Sequence, residues 1–367
     1  MPLPPADARP PLKDDLLGEA QRRQVVQVLA AAGLPAAALE ADTAPGWAAL
    51  ALMARLARLG QAICDHGPAD FRALVDLAEA VAPALPAGFA PLALCDAVSR
   101  RGHPDDAQTL AALARLTRFG TAEFAVRPLL ARDPARVLHQ ARVWASDPDA
   151  HVRRLASEGT RPRLPWGQRL DALARDPSGQ RPILRALWAD PSEDVRRSVA
   201  NHLNDIAKVH PAWVLEQLAT WPCTTPAARA TLRHALRGLI KQGHPGALAL
   251  VGAGQAAQVT VSGWQVSPTP LHLGEAALLQ VTLTGLGPGT QTLEVDYGVH
   301  FVKHDGSARR KVFKWRALSL APGQSLELHR RHRVADFTTR RHHAGRHTVD
   351  LIVNGQTLAQ GHFDLVC

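Results

Sequence analysis

The chain has 367 residues, 46% of them hydrophobic and 20% charged, enough for two or three domains with packed cores and too apolar for a disordered protein. A formal net charge of +9 points to an anionic partner, nucleic acid ahead of a membrane surface, although a GC-rich genome that favours Arg accounts for the same number without any partner. The four cysteines, Cys64, Cys95, Cys223 and Cys367, have no C-x-x-C spacing, which excludes a disulfide frame or zinc site, and no apolar run reaches membrane-spanning length, so the expected setting is soluble and cytoplasmic.

Five prolines among the first eleven residues predict an unstructured lead over 1–12. Leu, Val and Ala at helical spacing then predict a helix over 16–32, with further helices near 46–59, 69–82, 91–99 and 107–119. Breaks such as Gly67-Pro68 and Gly102-His103-Pro104 separate them.

The middle of the chain repeats itself. Asp147-Pro148-Asp149-Ala150-His151-Val152-Arg153-Arg154 matches Asp190-Pro191-Ser192-Glu193-Asp194-Val195-Arg196-Arg197 at an offset of 43 residues. That period belongs to stacked helix pairs of the HEAT type. Asp-Pro suits the start of a helix, because Asp caps it and Pro fits its first turn. The valines are expected to face the stack and the arginines to form a basic ridge, or to pair with acids of neighbouring helices. One more helix pair is expected over 211–220 and 225–241.

From residue 259 the period changes to strict alternation, in VTVSGWQV, ALLQVTLTGL, QTLEVDYGVHFV, KVFKWRALSL, SLELHRRHRV, HTVDLIVNG and QTLAQGHFDLV, with turns such as His304-Asp305-Gly306 and Asn354-Gly355 between them. Seven short strands predict an immunoglobulin-like sandwich without the paired cysteines of antibody domains. The expected fold class is therefore mainly α: a HEAT-like helical-repeat solenoid over 13–255, followed by an immunoglobulin-like β-sandwich over 256–367. Basic clusters at Arg309-Arg310-Lys311, at Arg330-Arg331-His332-Arg333 and over 340–343 are either a solvated face or phosphate contacts.

The densest chemistry lies in VRRLASEGTRPRLPWG, 152–167. Gly159 is expected in the left-handed position that ends a helix, with Pro162 preventing its resumption. Glu158 then falls in the last turn, where the helix dipole disfavours negative charge. Arg154 one turn earlier offers a local ion pair. Trp166 follows Pro165 at the expected start of the next helix. It serves there either as a hydrophobic staple or, beside Glu158, as an indole face that with a carboxylate suits a cation. Glu123 is expected in a first helical turn capped by Thr121, a setting the dipole favours. Asn201, opposite Glu158 under the repeat, belongs with Asn204 and Asp205 to a polar run within a helix that either braces loops or faces a ligand. The 17 histidines form no convincing metal set, and no nucleophile elbow, Walker motif or HExxH occurs.

VRRLASEGTRPRLPWG and DPSEDVRRSVANHLNDIAK, with the later GHPGALALVG and RRKVFKW, closely resemble the AlkC-type bacterial DNA alkylation repair glycosylases, relatives of AlkD. The resemblance runs from about residue 100 through the sandwich. It implies a solenoid cradling double-stranded DNA that contains alkylated bases. It also implies a sandwich that assists binding, and hydrolysis of the N-glycosidic bond of 3-methyladenine and 3-methylcytosine without base flipping. Carried over by position, the resemblance places Glu158 and Glu123 beside the sugar of the damaged nucleotide. Trp166 would pack against its deoxyribose and Asp205 would be a site member or brace. Arg154 would hold the site or a phosphate. Together with Arg153, Arg161, Arg163, Arg196, Arg197, Asn201, Arg309, Arg310 and Lys311, it makes up the expected DNA-binding set. Two carboxylates and an indole would act without metal or cofactor, and a monomer is compatible with this arrangement.

Overall fold

A computed structural model describes residues 12–336 and 341–366. The proline-rich lead, Arg340 of the third basic cluster and Cys367 lie outside the described residues. The chain forms two compact units, Met1–Val209 and His210–Cys367.

The first unit is a stack of helices: α1 (Leu12–Leu17), α2 (Glu19–Ala31), α3 (Ala36–Thr43), α4 (Leu52–His66), α5 (Phe71–Val81), α6 (Leu92–Arg101), α7 (Asp106–Leu116), α8 (Arg127–Arg132), α9 (Pro134–Trp144), α10 (Ala150–Glu158), α11 (Asp171–Arg175), α12 (Arg181–Leu187) and α13 (Glu193–Ala207). Each longer helix buries one stripe. In α4 the stripe is Leu52, Leu56, Leu59 and Ile63; in α5 it is Leu74, Val75, Ala78 and Val81. Aspartates start several of them: Asp70 accepts from the Ala73 amide at 2.9 Å and Asp133 from Arg136 at 3.0 Å, caps worth about 1 kcal/mol each. The first expected helix is split at Gly18, and 46–59 is split at the extended Leu50 and Ala51, which separate a single 3-10 turn over Trp47–Ala49 from α4. The helices α3, α8, α9, α11 and α12 of this unit fall outside the helix ranges expected.

Both Asp-Pro copies start helices as the repeat requires. Asp147 Oδ1 accepts from the Asp149 amide, and Asp190 Oδ1 from the Ser192 amide, each at 2.8 Å. Val152 and Val195 are buried, and α10 packs along α13.

The second unit carries α14 (Pro211–Thr220), α15 (Pro226–Lys241) and α16 (Pro245–Leu250) and then β1 (Val259–Ser267), β2 (Leu271–His272), β3 (Ala276–Gly285), β4 (Gln291–Val302), β5 (Ala308–Leu320), β6 (Ser325–Arg333), β7 (Gly345–Val353) and β8 (Gln356–Val366). All seven alternating runs are strands, and the two-residue β2 is added. The sandwich has one sheet in the order β1-β3-β6 and another in the order β2-β8-β7-β4-β5. Leu279, Val281 and Leu283 of β3 face the core with Val295, Tyr297 and Val299 of β4. Residues 293–299 of β4 are buried without alternation, because its opposite face is occupied as well. There Arg233 of α15 meets the buried Glu294 at 2.7 Å, which is why the last three helices belong with the strands. The clusters Arg309-Arg310-Lys311 and Arg330-Arg331 lie on β5 and β6, each the outermost strand of its sheet, where charge also blocks edge-to-edge pairing.

Candidate functional site

A cleft of about 410 Å³ opens on the first unit where the equivalent faces of α10 and α13 meet the 117–121 turn. Arg154 and Glu158 of α10 line it, and so do their repeat counterparts Arg197 and Asn201 of α13, with Thr121 and Ser198. The repeat therefore delivers the second arginine of each pair to one surface. The first arginines turn the other way. Arg153 donates from one Nη to the carbonyls of Asp147 and Pro148, both at 2.9 Å; Arg196 repeats this with Asp190 (2.5 Å) and Pro191 (2.8 Å). Arg153 also reaches Asp190 at 2.6 Å and so ties one copy to the next. The expected four-arginine ridge is thus two arginines on the cleft and two that brace the Asp-Pro loops.

Glu158 is only 6% exposed. Its Oε1 accepts from Arg161 Nη1 at 2.6 Å, and its Oε2 from the Ser198 hydroxyl at 2.5 Å. Arg154, the partner expected from spacing, stands at 4.0 Å. Arg161 is shared: its Nε and Nη2 donate to Asp205 Oδ2 at 2.9 and 2.8 Å, and Lys208 reaches Asp205 Oδ1 at 3.0 Å. Burial pulls the Arg161 guanidinium down, but Glu158 and Asp205 outweigh it and hold it above its ordinary value. Arg161 is consequently a buried brace and not the phosphate contact expected from its charge. Asp205 is likewise buried behind Glu158, joined to it through one guanidinium.

Arg154 donates to Glu123 Oε2 at 2.9 Å and to Thr121 at 3.0 Å, while the Thr121 hydroxyl donates to the same Glu123 oxygen. Thr121 is therefore not a helix cap. Glu123 lies in the turn before α8, and the expected first-turn setting is replaced by a cross-turn network.

The loop after α10 departs from expectation at two residues. Gly159 is right-handed (φ −65°), so it does not supply the left-handed stop. That conformation falls instead on Trp166 (φ 62°), where it costs a non-glycine residue roughly 1–3 kcal/mol. Trp166 is not at a helix start, since α11 begins only at Asp171. It is 55% exposed and touches Phe89 edge-on, with centroids 5.7 Å apart. Trp166 and Glu123 are not among the residues lining the α10–α13 cleft. Arg163 is half-buried, and its Nε has no hydrogen-bond partner among the described residues.

Three participants escaped the sequence reading. Ser198 stands where the first copy has Leu155, so a break in the repeat pattern marked it. His202, fully buried, presents Nδ1 to the Ser157 carbonyl at 3.0 Å. Burial, with Arg161 nearby, pushes its pKa down to about 3, so the ring is neutral and donates that proton. Arg127, the first residue of α8, is buried beneath the 159–168 loop, and nothing in its local sequence sets it apart from other arginines. Burial, then repulsion from Arg161, lowers it to about 10, which leaves it cationic at neutral pH. In the second unit, Arg309, Arg310 and Lys311 are exposed and share a pocket with Lys303 and His304; Arg310 also pairs with Asp350 at 2.7 Å. Among the described residues no helix is long and apolar enough to cross a membrane, and no three His, Cys, Asp or Glu are grouped as metal ligands.

A HEAT-like stack joined to an immunoglobulin-like sandwich, with a buried carboxylate cluster on a basic cleft, defines a narrow class of protein. Residues 260–367 match the family model described as the C-terminal Ig-like domain of the uncharacterised protein YhaZ. The chain is 34% identical over 310 residues to the uncharacterised protein YhaZ of Bacillus subtilis (strain 168), covering 84% of this chain and 86% of that one. It is also similar to the solved structure of Pseudomonas fluorescens alkylpurine DNA glycosylase AlkC bound to DNA containing an abasic site analog. That match has a TM-score of 0.91 and 41% identity, over 98% of this chain and 100% of the other. The chain belongs to the AlkC family, which includes YhaZ.

Proposed function

We propose that this protein is a DNA glycosylase of base excision repair that hydrolyses the N-glycosidic bond of cationic N3-alkylated bases, 3-methyladenine and 3-methylcytosine, in duplex DNA without flipping the base. The observation that carries the reading is Glu158: a carboxylate at the end of a helix, almost wholly buried and yet forming part of a cleft wall beside two arginines. Identity of 41% to a DNA-bound alkylpurine DNA glycosylase, spread over almost the whole chain, supports the same class.

The chemistry asks little of the protein besides charge. As the bond between C1′ and the base nitrogen breaks, its electron pair moves onto the base, which leaves neutral. The sugar is left as an oxocarbenium-like cation. Water then adds at C1′ and loses a proton to give the abasic site. The leaving group carries its positive charge from the start, so no strong general acid is required. What accelerates the step is negative charge fixed beside C1′ before the reaction starts. Arg161 and Ser198 hold Glu158 in one orientation, and Arg161 is divided between two carboxylates, so its charge is not committed to Glu158 alone. Poor solvation at this position strengthens the attraction to a developing cation. Glu123 would supply the second charge and help position water, and the Trp166 face would pack on the deoxyribose. Arg154, Arg197 and Asn201 would hold phosphates along the cleft. Arg309, Arg310 and Lys311 of the 256–367 module would add to the hold on the duplex.

Duplexes carrying one defined N3- or N7-methylated base, incubated with the full chain in the presence of a chelator, test this. Release of the free N3-methylated base is expected. A chain that binds the lesion duplex and releases no base would instead be a scaffold or a damage sensor.

A further inference from the structure

Trp166 sits at the crest of a loop in a conformation that tryptophan avoids, with half its surface open. A strained, exposed residue keeps one geometry only if its surroundings impose it. Among the bonds of the 159–168 segment, those from one buried side chain stand out. Arg127 Nη1 donates to the carbonyl of Arg161 at 2.9 Å and of Gly159 at 3.3 Å, at the entry to the loop. Its Nε donates to the Gln168 carbonyl at 2.6 Å, at the exit, and Nη2 donates to the same oxygen. A single planar guanidinium thus closes both ends of the loop that carries Trp166. Gly167 records the same fit: a Cβ there would lie 3.2 Å from Arg127 Cδ and Nε, so the neighbour of Trp166 is a residue that lets the arginine stem pass. From outside, Phe89 stands edge-on against the indole.

We propose that Arg127 is a positioning residue for base excision: it staples the loop that holds Trp166 and, with Phe89, fixes the indole in its reactive orientation. The inference rests on the glycosylase reading above and goes beyond it by assigning a role to two residues outside the cleft. The turn before α8 and the first residue of that helix hold both sides of the site, since Glu123 pairs with Arg154 while Arg127, four residues on, grips the Trp166 loop. Lysine is a poor replacement for this arginine, because its ammonium lacks the planar fork of separated donors with which the guanidinium meets three carbonyls at the two ends of the loop.

The test is a double-mutant cycle on single-turnover release of 3-methyladenine from duplex DNA, with Arg127→Lys, Trp166→Ala and the pair. Arg127→Lys is expected to slow release on the order of ten- to a hundredfold, as misplacement of a reacting partner does. In the Trp166→Ala background it should add almost nothing, because its effect passes through the indole. Hydrogen exchange should rise over 160–170 in Arg127→Lys and stay unchanged in the α4 and α6 amides. Rates that multiply in the double variant, or unchanged exchange over 160–170, overturn the proposal. Should Arg127→Lys fold poorly, Phe89→Ala, in a half-buried turn, enters the same cycle with the same expectation. If the wild-type chain releases no base, the glycosylase reading falls and the proposal with it. Release by the wild type with a multiplicative cycle sinks the positioning role alone.

Discussion

The two Asp-Pro copies share five of their eight residues and then part, and the proposed site lies where they part. Both begin with the same turn, bury the same valine and fold the first arginine onto the carbonyls of their own loop. The second copy continues as a helix of 15 residues; the first stops after 9. At the position where the second copy has Asn201 the first has Glu158, and beyond it comes the loop that carries Arg161 and Trp166 instead of another turn of helix. The repeat supplies a rigid frame and a pair of cleft arginines. The proposed site falls where one copy is cut short: Glu158 ends the shortened helix, and the loop that follows carries the shared Arg161 guanidinium and the exposed Trp166 indole. The longer copy then braces the shorter: Ser198 and Asp205 of α13 hold the buried Glu158 and Arg161 side chains at the end of the shortened helix.

Substitutions that treat the copies differently sharpen this contrast. The largest effect on folding is expected from Arg161→Leu, which strands two buried carboxylates and should cost about 3–5 kcal/mol, read from chemical denaturation. A cost near that of an ordinary surface change would mean that Glu158 and Asp205 do not depend on it. Arg153→Ala comes next. It breaks the pair with the buried Asp190 as well as two carbonyl contacts, so roughly 2–3 kcal/mol is expected against about 1 kcal/mol for Arg196→Ala. Equal costs would remove the link between copies from the account.

Acidity gives a smaller, unit-specific signal. His202 is held neutral down to about 3 in the folded chain, whereas an unfolded histidine takes up its proton near 6.5. Between those values the unfolded state binds the extra proton, so the helical unit loses stability as the pH falls below about 6.5. Asp296, in the other unit, has the opposite sign. Burial raises its carboxyl to about 6 from 3.8, so the folded state binds the proton first and that unit gains stability over the same fall. Helical ellipticity followed in melts between pH 4 and 7 should show the loss, and His202→Gln should flatten it. A loss that survives His202→Gln has another origin.

Much of this was legible in the sequence, for definite reasons. A sandwich strand writes its faces as alternation, and all seven alternating runs are strands. The 43-residue offset exposed the stack because caps and arginines recur in register. The misplaced charge at Glu158 drew notice because a helix end states its own electrostatic preference. The remainder depends on tertiary partners. Arg161 looks like any surface cation until Asp205, 44 residues on, is placed against it. Gly159 carries the usual mark of a left-handed stop, yet the loop closure assigns that strain to Trp166. Arg127 grips carbonyls more than 30 residues away, and carbonyl contacts leave no trace in side-chain identity.

The most direct measurement is single-turnover release of 3-methyladenine by Glu158→Gln, set beside Asn201→Asp at the equivalent place in the second copy. Glu158→Gln should lose at least about a hundredfold in rate while binding abasic-site duplex within a few fold of the wild type. Asn201→Asp should not match that loss. Release by Glu158→Gln at the wild-type rate would contradict the account, because the shortened repeat would then hold no charge the reaction uses.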